Sequence, residues 1–180
     1  MDRKLRKLKI TELNRLTPEE FKTAKKLPLV IVLDGVRSLH NIGSVFRTSD
    51  AFRVESIYLC GITATPPHPD MHKTALGAEY TVDWKYTKDT VDAIEELKQN
   101  GYVVYSVEQT EGSTMLNDLV LDKKKKYAVV LGNEVKGVQQ QVIDCSHGCL
   151  EIPQFGTKHS LNVSVAAGIV VWELFKKLRV

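Results

Sequence analysis

Three loops of the chain combine glycines with polar side chains that could bind a polar ligand. They cover residues 35–47, 132–137 and 153–162, and the first contains Asn41 and Arg47. An arginine can clamp a phosphate and stabilise a developing negative charge, while amide side chains can orient a substrate. Each loop follows a predicted strand, so the three would meet at the carboxyl edge of a parallel sheet, where ligands bind. For any one loop taken singly, glycines that only form turns are the favoured explanation.

The signatures of several other site classes are missing from the sequence. It contains no G-x-G-x-x-G after a strand, no G-x-x-x-x-G-K-[ST] and no G-x-S-x-G, which disfavours dinucleotide, P-loop and nucleophile-elbow chemistry. Cys145 and Cys149 do not have the usual spacing of a zinc pair, and no second pair exists, so we expect no metal. His159 and Ser160 are adjacent, which disfavours a base and nucleophile pair.

The elements that must position these loops alternate between strands and helices. We predict strands at 28–34, 56–60, 80–84, 102–107, 127–131 and 149–152. We predict helices at 41–53, 89–100, 139–144 and 161–178. Ser160 is the predicted N-cap of the last helix, which is apolar on so many sides that we expect it to be buried on most of them. The pattern predicts an α/β fold with a mostly parallel sheet flanked by helices.

Basic residues are concentrated at the N-terminus. Residues 1–28 hold nine Lys/Arg and four Asp/Glu, whereas the remainder holds 16 and 18. Thr17-Pro-Glu-Glu20 predicts a helix start, and we expect Leu13, Leu16 and Phe21 to pack on the body. We therefore divide the chain into a basic helical extension, 1–27, and a domain, 28–180. The charge alone is compatible with either a nucleic-acid partner or a solvated helix.

Composition limits the class of protein. The 180 residues, 43% hydrophobic and 26% charged, suit one globular domain. No apolar run is long enough to span a membrane, and the N-terminus lacks the apolar region of a secretory signal. Three cysteines, an odd and small number, argue against a disulfide framework. We expect a cytoplasmic protein with no membrane span.

Taken together, the three loops resemble the SpoU/TrmH family of SPOUT-class RNA 2′-O-ribose methyltransferases. Asn41-Ile-Gly-Ser-Val-Phe-Arg47 is similar to the first motif of the family, and Gly132-Asn-Glu-Val-Lys-Gly137 is similar to the second. Ile152-Pro-Gln-Phe-Gly156, followed by Ser160-Leu-Asn162, is similar to the third. The match covers residues 28–178 in the right order. It departs at Arg53, where many members have glycine, and at Asn133, where a smaller residue is common.

The resemblance implies a fold, a reaction and partners. It implies a SPOUT fold with a deep trefoil knot near the C-terminus, and a homodimer in which the last helix forms the interface and completes each site. It also implies that a methyl group passes from S-adenosyl-L-methionine (SAM) to a ribose 2′-hydroxyl of structured RNA, foremost tRNA and otherwise rRNA. The alternatives are a catalytically inactive RNA-binding protein with the same fold and a nucleotide-using enzyme unrelated to RNA.

The resemblance also assigns residues. The expected catalytic residues are Arg47, Asn41, Glu134, Ser160 and Asn162. The expected cofactor-binding residues are Val107, Gly132, Asn133, Glu134, Gly137, Ile152, Pro153, Ser160 and Leu161. The expected RNA-binding residues are Arg3, Lys4, Arg6, Lys7, Lys9 and Arg47.

Two points about these assignments follow from chemistry and from the sequence. For Arg47 we favour a phosphate clamp over a general base, because a guanidinium is very hard to deprotonate; the base assignment stays open. We expect Asn41, Ser160 and Asn162 to orient Arg47 and the ribose, and Glu134 either to hold the site together, to contact the substrate or only to cap a loop. For His72 and Lys73 we favour positions that face solvent over positions beside the substrate.

Overall fold

A parallel sheet forms the centre of the protein. The computed structural model describes residues 5–179. Within that range the sheet has seven strands: β1 Leu27–Asp34, β2 Val54–Cys60, β3 Asp83–Thr87, β4 Tyr102–Val107, β5 Thr114–Met115, β6 Lys126–Leu131 and β7 Gly148–Glu151. Their order is β3-β2-β1-β6-β4-β7-β5, and every neighbouring pair is parallel. The order places β1 and β6 side by side near the centre, so their carboxyl ends bring the first two polar loops together.

Helices cover both faces of the sheet. Those in the described residues are α1 Pro18–Thr23, α2 Leu39–Ala51, α3 Pro69–Ala75, α4 Ala78–Thr81, α5 Thr90–Gln99, α6 Gln140–Cys145 and α7 Val163–Leu178. In β1, Leu29, Ile31 and Leu33 pack on the side of α2 and α7, whereas Val30 and Val32 pack on the side of α5 and α6. Because successive side chains of a strand point to opposite faces, a strand covered on both faces must be apolar throughout. The predicted α/β class is confirmed.

Most predicted elements lie within two residues of the observed ones, and two predictions are wrong. Residues 80–84 do not form one strand, because α4 occupies the first of them and β3 begins at Asp83. The turn is fixed there by Glu79, whose buried carboxylate accepts a hydrogen bond from the Gly77 amide (3.0 Å). The N-cap of α7 is Asn162, not Ser160: its Oδ1 accepts from the Ser164 amide at 2.9 Å.

The last helix is less buried than the sequence predicts. Val165, Ile169 and Trp172 are 51%, 38% and 49% exposed. Their spacing of four and three residues puts them on one face of α7. The opposite face is buried against the sheet and α2. Within a single chain, α7 therefore presents an apolar stripe to solvent, which we call the α7 stripe.

In the described part of the N-terminal extension, Phe21 and Leu27 pack into the core. Phe21 on α1 is buried, as predicted, whereas Leu13 and Leu16 are exposed, contrary to prediction. Thr17 caps α1 as expected, because its hydroxyl accepts from the Glu20 amide and its own amide donates to the Glu20 carboxylate. Among residues 5–179, no helix is both long and apolar enough to cross a membrane.

Candidate functional site

A pocket of about 500 Å³ lies at the carboxyl ends of β4, β6 and β7. The loops that follow these strands form its walls, as expected for an open parallel sheet. Its lining includes eight of the nine residues expected to bind a cofactor: Val107, Gly132, Asn133, Glu134, Gly137, Ile152, Ser160 and Leu161. Pro153 is not part of that lining in the described chain. Elements distant in sequence thus converge on one pocket.

The loop after β6 is closed on itself by backbone hydrogen bonds. Asn133 and Gly137 exchange two of them, at 3.0 and 2.9 Å. The side chain of Asn133 adds another link, since its Nδ2 donates to the Gly35 carbonyl at 2.7 Å. This contact explains the departure at position 133, because a smaller residue could not reach the loop after β1. Gly132 packs so closely on the Gly137 backbone that a β-carbon has no room.

Glu134 joins this loop to the start of α2. Its carboxylate accepts hydrogen bonds from the amides of Arg37 (3.1 Å) and Ser38 (3.0 Å) and from Nδ2 of Asn41 (3.1 Å). Burial opposes ionisation of Glu134, but these hydrogen bonds outweigh it and hold its pKa below the ordinary value. Glu134 therefore positions α2 as an anion at the helix N-terminus, where the helix dipole also favours negative charge.

We expect Glu134→Gln to lower the free energy of unfolding by about 1 kcal/mol at neutral pH. The carboxylate accepts from two backbone N–H groups through its two oxygens, whereas an amide has only one oxygen to accept them. The folded-state pKa of Glu134 is depressed, so its stabilising contribution is present above the ordinary value of 4.5 and is lost as the pH falls through the folded value. The difference from wild type should therefore shrink in acid. Urea unfolding over an acid-to-neutral pH series measures it.

The exposed Glu111, on the loop after β4, supplies the matched control for this series. Glu111→Gln should change the free energy of unfolding by less than about 0.5 kcal/mol at every pH. A Glu134→Gln variant that tracked this control would contradict the anchoring role of Glu134.

Three of the expected catalytic residues form one hydrogen-bonded chain. Nδ2 of Asn162 donates to Oδ1 of Asn41 at 3.1 Å, and Asn41 in turn donates to Glu134. One member comes from each of the three motifs. Ser160 lines the pocket and is not part of this chain of contacts. The structure thus connects the three motifs at the pocket through side chains.

Arg47 lies apart from these residues. It is exposed on α2 and lines a separate cleft of about 440 Å³, which also includes Ser44, Thr48, Ala51, Phe52, Lys73 and Thr74. It is not among the residues that line the main pocket in the described chain. Asn162 donates to Asn41 and Asn41 donates to Glu134, so the expectation that they orient Arg47 stays a prediction.

Glu108 is a structural residue of the pocket that the sequence analysis missed. It follows β4, and its carboxylate accepts hydrogen bonds from the amides of Val138 (3.0 Å) and Gln109 (2.9 Å). The same carboxylate occupies the space beside Gly137, whose φ of +67° also favours glycine. The signal was available, because Glu108 is the first polar residue after a predicted buried strand.

Gln109 and Asp34 are two further structural residues beside the site that none of the three motifs indicates. Nε2 of Gln109 donates to the His159 carbonyl at 2.7 Å and so ties down the loop after β7. Asp34 is buried at the end of β1, where it accepts hydrogen bonds from the Thr90 hydroxyl and from both nitrogens of Gln139. These contacts fix the starts of α5 and α6 beside the site.

Among the basic residues near the N-terminus, one forms an ion pair within the chain and others are exposed. Arg6 pairs with Glu12 at 2.7 Å, whereas Lys7 and Lys9 are exposed. Arg3 and Lys4 lie outside the described residues.

Within residues 5–179, no three His, Cys, Asp or Glu side chains are placed to hold a metal ion.

His72 and Lys73 on α3 are both partly exposed, as expected, but each has a partner. Nδ1 of His72 contacts the buried carboxylate of Glu79, and Lys73 pairs with Asp70 at 2.7 Å. Lys73 also lines the cleft that contains Arg47. The expectation that these two residues only face solvent is therefore incomplete.

Comparison with known proteins decides the family. The model of the SpoU rRNA methylase family matches residues 28–172. The chain belongs to the SpoU rRNA methylase family. A Staphylococcus aureus relative (strain MSSA476) with the name TrmH family tRNA/rRNA methyltransferase is 31% identical over 159 residues, 88% of this chain and 63% of the relative. This SpoU-family chain thus spans less than two thirds of the length of that relative.

Solved structures of RNA-modifying enzymes have the same fold. The A. aeolicus TrmH/SpoU tRNA modifying enzyme is 26% identical, with a TM-score of 0.76 over 89% of this chain and 79% of the other. The AdoMet-bound rRNA methyltransferase from Sinorhizobium meliloti is 27% identical, with a TM-score of 0.78 over 86% of this chain and 58% of the other. The predicted family and its fold class are confirmed.

Proposed function

We propose that this protein transfers a methyl group from SAM to a ribose 2′-hydroxyl of structured RNA, foremost tRNA. The observation that carries the proposal is the single pocket that gathers eight of the nine expected cofactor residues. The chain of contacts from Asn162 through Asn41 to Glu134 supports it, because it joins all three motifs at that pocket. Family membership and the AdoMet-bound relative support the reaction class.

The pocket suits SAM in size and lining. A volume of about 500 Å³ falls within the range for small-molecule sites. Leu131, Ile152 and Leu161 offer apolar surface for a purine, while the glycine-containing loop 132–137 brings backbone groups close to the ligand. Glu134 is already committed to α2 through three hydrogen bonds, so we assign it to holding the site together.

The chain's own residues bind and position the RNA. When bound, SAM supplies a methyl group that a sulfonium makes electrophilic. The guanidinium of Arg47 clamps a substrate phosphate with two parallel N–H donors and stabilises the negative charge that develops on the ribose oxygen. As the methyl group bonds to the ribose oxygen, the proton of the 2′-hydroxyl passes to water or to the clamped phosphate, with Arg47 itself as the alternative base. Positioning of the ribose oxygen in line with the methyl carbon supplies much of the rate enhancement.

We also propose that the protein is a homodimer formed through the α7 stripe. Trp172 in that stripe packs against Phe52 and Phe175, with ring centroids 5.8 and 5.9 Å apart. The exposed side of this aromatic cluster suits an interface core. Arg47 lies outside the pocket of its own chain, so a second copy would complete the site. The C-terminal trefoil knot remains a prediction within the same proposal.

We also propose that the protein is cytoplasmic, because its three cysteines are free thiols. Cys60 and Cys149 are buried and Cys145 is partly exposed. Free thiols suit a reducing compartment.

Replacing Trp172 with arginine should dissociate the dimer, because it puts a charge into the middle of the apolar stripe. We expect sedimentation velocity to show monomers at concentrations where wild type is dimeric. Trp84 is the matched control, since it is 38% exposed and lies on β3, at the edge of the sheet. Trp84→Arg should leave the mass unchanged, and equal behaviour of the two variants would refute the assignment of the interface.

The reaction is tested with SAM that carries a labelled methyl group. The substrates are tRNA and rRNA from a strain of origin that lacks this protein, digested to nucleosides after reaction. We expect label in a 2′-O-methylated nucleoside from tRNA. Label in rRNA alone would overturn the preference for tRNA, and label on a base would overturn the ribose assignment. Binding of RNA without any transfer would establish the inactive RNA-binding alternative.

We propose that residues 1–9 form an arm that binds RNA phosphates. Deletion of these residues removes Arg3, Lys4, Arg6, Lys7 and Lys9. Because neutralised phosphates release counterions, we expect weaker tRNA binding and a shallower dependence of log affinity on log salt, by about 0.7 to 0.9 for each phosphate that the shortened protein no longer neutralises. SAM affinity should not change, since residues 5–9, the described part of the arm, are not among the residues that line the pocket. Unchanged RNA affinity in filter binding would show that residues 1–9 are solvated surface and do not bind RNA.

A further inference from the structure

The cleft between α2 and α3 has a lining that suits an anion. Arg47, Ser44 and Thr48 contribute from α2, and Lys73 and Thr74 contribute from α3. Two cationic groups therefore face one cleft of about 440 Å³. Of its three hydroxyls, those of Ser44 and Thr74 already donate to the His40 carbonyl. No carboxylate is among its lining residues in the described chain. Guanidinium and ammonium groups are donors that bind phosphate in proteins.

We propose that Lys73 and Arg47 together bind a phosphate of the RNA backbone, and that Asp70 holds Lys73 in place until this phosphate displaces it. This inference rests on the proposed function, because it needs RNA as the substrate. It gives Arg47 a second cationic residue, Lys73, as a partner in binding the phosphate. It also names Asp70 as the group with which the phosphate competes for Lys73.

Tight packing between α2 and α3 makes the walls of the cleft rigid. Gly43 on α2 lies so close to α3 that a β-carbon would overlap the Thr74 hydroxyl and the Met71 carbonyl. The Thr74 hydroxyl donates to the His40 carbonyl at 2.9 Å, which links the two helices directly. Arg47 and Lys73 are thus carried on a fixed pair of helices, and little backbone ordering is needed when an anion binds.

The ion pair between Lys73 and Asp70 can exchange for another anion. The distance from Lys73 Nζ to Asp70 Oδ1 is 2.7 Å, but the two side chains are 66% and 46% exposed. Exposed ion pairs of this kind contribute little net stability. A phosphate that also binds Arg47 makes two charged interactions where Asp70 makes one, so it should win the competition.

The position of the cleft suits RNA better than a free anion. Arg47 lies six residues beyond Asn41 on α2, a distance of about 9 Å along the helix axis. A ligand that reaches from the Asn41 and Glu134 contacts to this cleft must be extended and must carry an anionic group at the end that enters the cleft. A polynucleotide has both properties.

The experiment measures the affinity for unfractionated tRNA by filter binding between about 50 and 200 mM salt. Lys73→Ala should weaken binding about three- to tenfold and reduce the slope of log affinity against log salt by about 1. Asp70→Asn should strengthen binding about two- to threefold by releasing Lys73. In the Lys73→Ala background, Asp70→Asn should have no such effect, because its partner is gone.

Lys85→Ala is the matched control, since Lys85 is in an exposed ion pair with Glu96 and does not line the cleft. Its effect on tRNA affinity should be less than about twofold. SAM affinity, melting temperature and oligomeric mass should stay at wild-type values in all variants.

Three results would overturn the inference. One is a loss of affinity with Lys73→Ala no larger than with Lys85→Ala. Another is an equal gain from Asp70→Asn with and without Lys73, which would show a general effect of net charge. The third is dissociation of the dimer by Lys73→Ala, which would make the cleft a subunit interface. Failure of the proposed function gives a different result, namely that wild type does not methylate the RNA it binds.

Discussion

Arg47→Ala is expected to slow methyl transfer about 100- to 1000-fold, because it removes preorganised donors from a developing negative charge. SAM affinity should stay within about twofold of wild type, since such a loss falls on the transition state rather than on cofactor binding, and Arg47 lies outside the pocket. Arg47 is exposed on α2, so the free energy of unfolding should change by less than about 0.5 kcal/mol. Single-turnover kinetics and calorimetry separate the two effects.

Arg47→Lys is the charge-matched control. A lysine keeps the positive charge but loses the planar fork that binds phosphate through two parallel hydrogen bonds. We therefore expect an intermediate rate. A lysine variant as slow as the alanine variant would show that geometry outweighs charge. Wild-type turnover by Arg47→Ala would exclude the residue from the reaction.

Gly132→Ala is expected to abolish cofactor binding. Its β-carbon would overlap the carbonyl group of Gly137 and the amide of Val138, which are backbone atoms and cannot rotate away. The two hydrogen bonds between Asn133 and Gly137 must then break. We expect a loss of about 2–4 kcal/mol in unfolding free energy, typical of overpacking without relief. Cofactor affinity should fall at least about 100-fold, or some 2.7 kcal/mol.

Gly168→Ala controls for the loss of glycine itself. Gly168 lies within α7, next to Ile169 of the α7 stripe, and within a single chain a β-carbon there meets open space. Alanine has the higher helix propensity, so this variant should be neutral or more stable by up to about 1 kcal/mol. Urea unfolding and calorimetry with the demethylated cofactor provide both measurements. Wild-type affinity in Gly132→Ala would mean that the tight loop does not shape the pocket.

Sequence patterns predicted the fold where local signals were strong. The apolar run that became β1 and the capped helix between Asp89 and Gly101 were both found within one residue of prediction. The turn at α4 could not be predicted, because it depends on the burial of Glu79 against His72. That burial is set by tertiary packing and leaves no periodic signal.

The site was only partly predictable for a similar reason. Motif order indicated that three loops meet, but not which atoms join them. The contact from Asn133 to Gly35 spans 98 residues, and no spacing rule reveals it. The place of Lys73 beside Arg47 could not be predicted, because it depends on how closely α3 packs on Gly43. The sequence predicts that α7 is buried on most sides, but one apolar stripe of the helix is exposed. Apolarity alone does not distinguish a helix face that packs in the core from one that lies at the surface.

The contacts of Glu134 with Arg37 and Ser38 join positions 97 and 96 residues apart, on opposite halves of the chain. Every residue that lines the pocket lies in the C-terminal half, whereas the amides that hold Glu134 belong to the N-terminal half. The loop-closure entropy of these contacts is recovered only when β1 and β6 lie side by side. Partial unfolding that separates the two strands releases Glu134 and the loop that carries it. Ligand binding should therefore weaken when β1 leaves the sheet, although no residue of β1 lines the pocket.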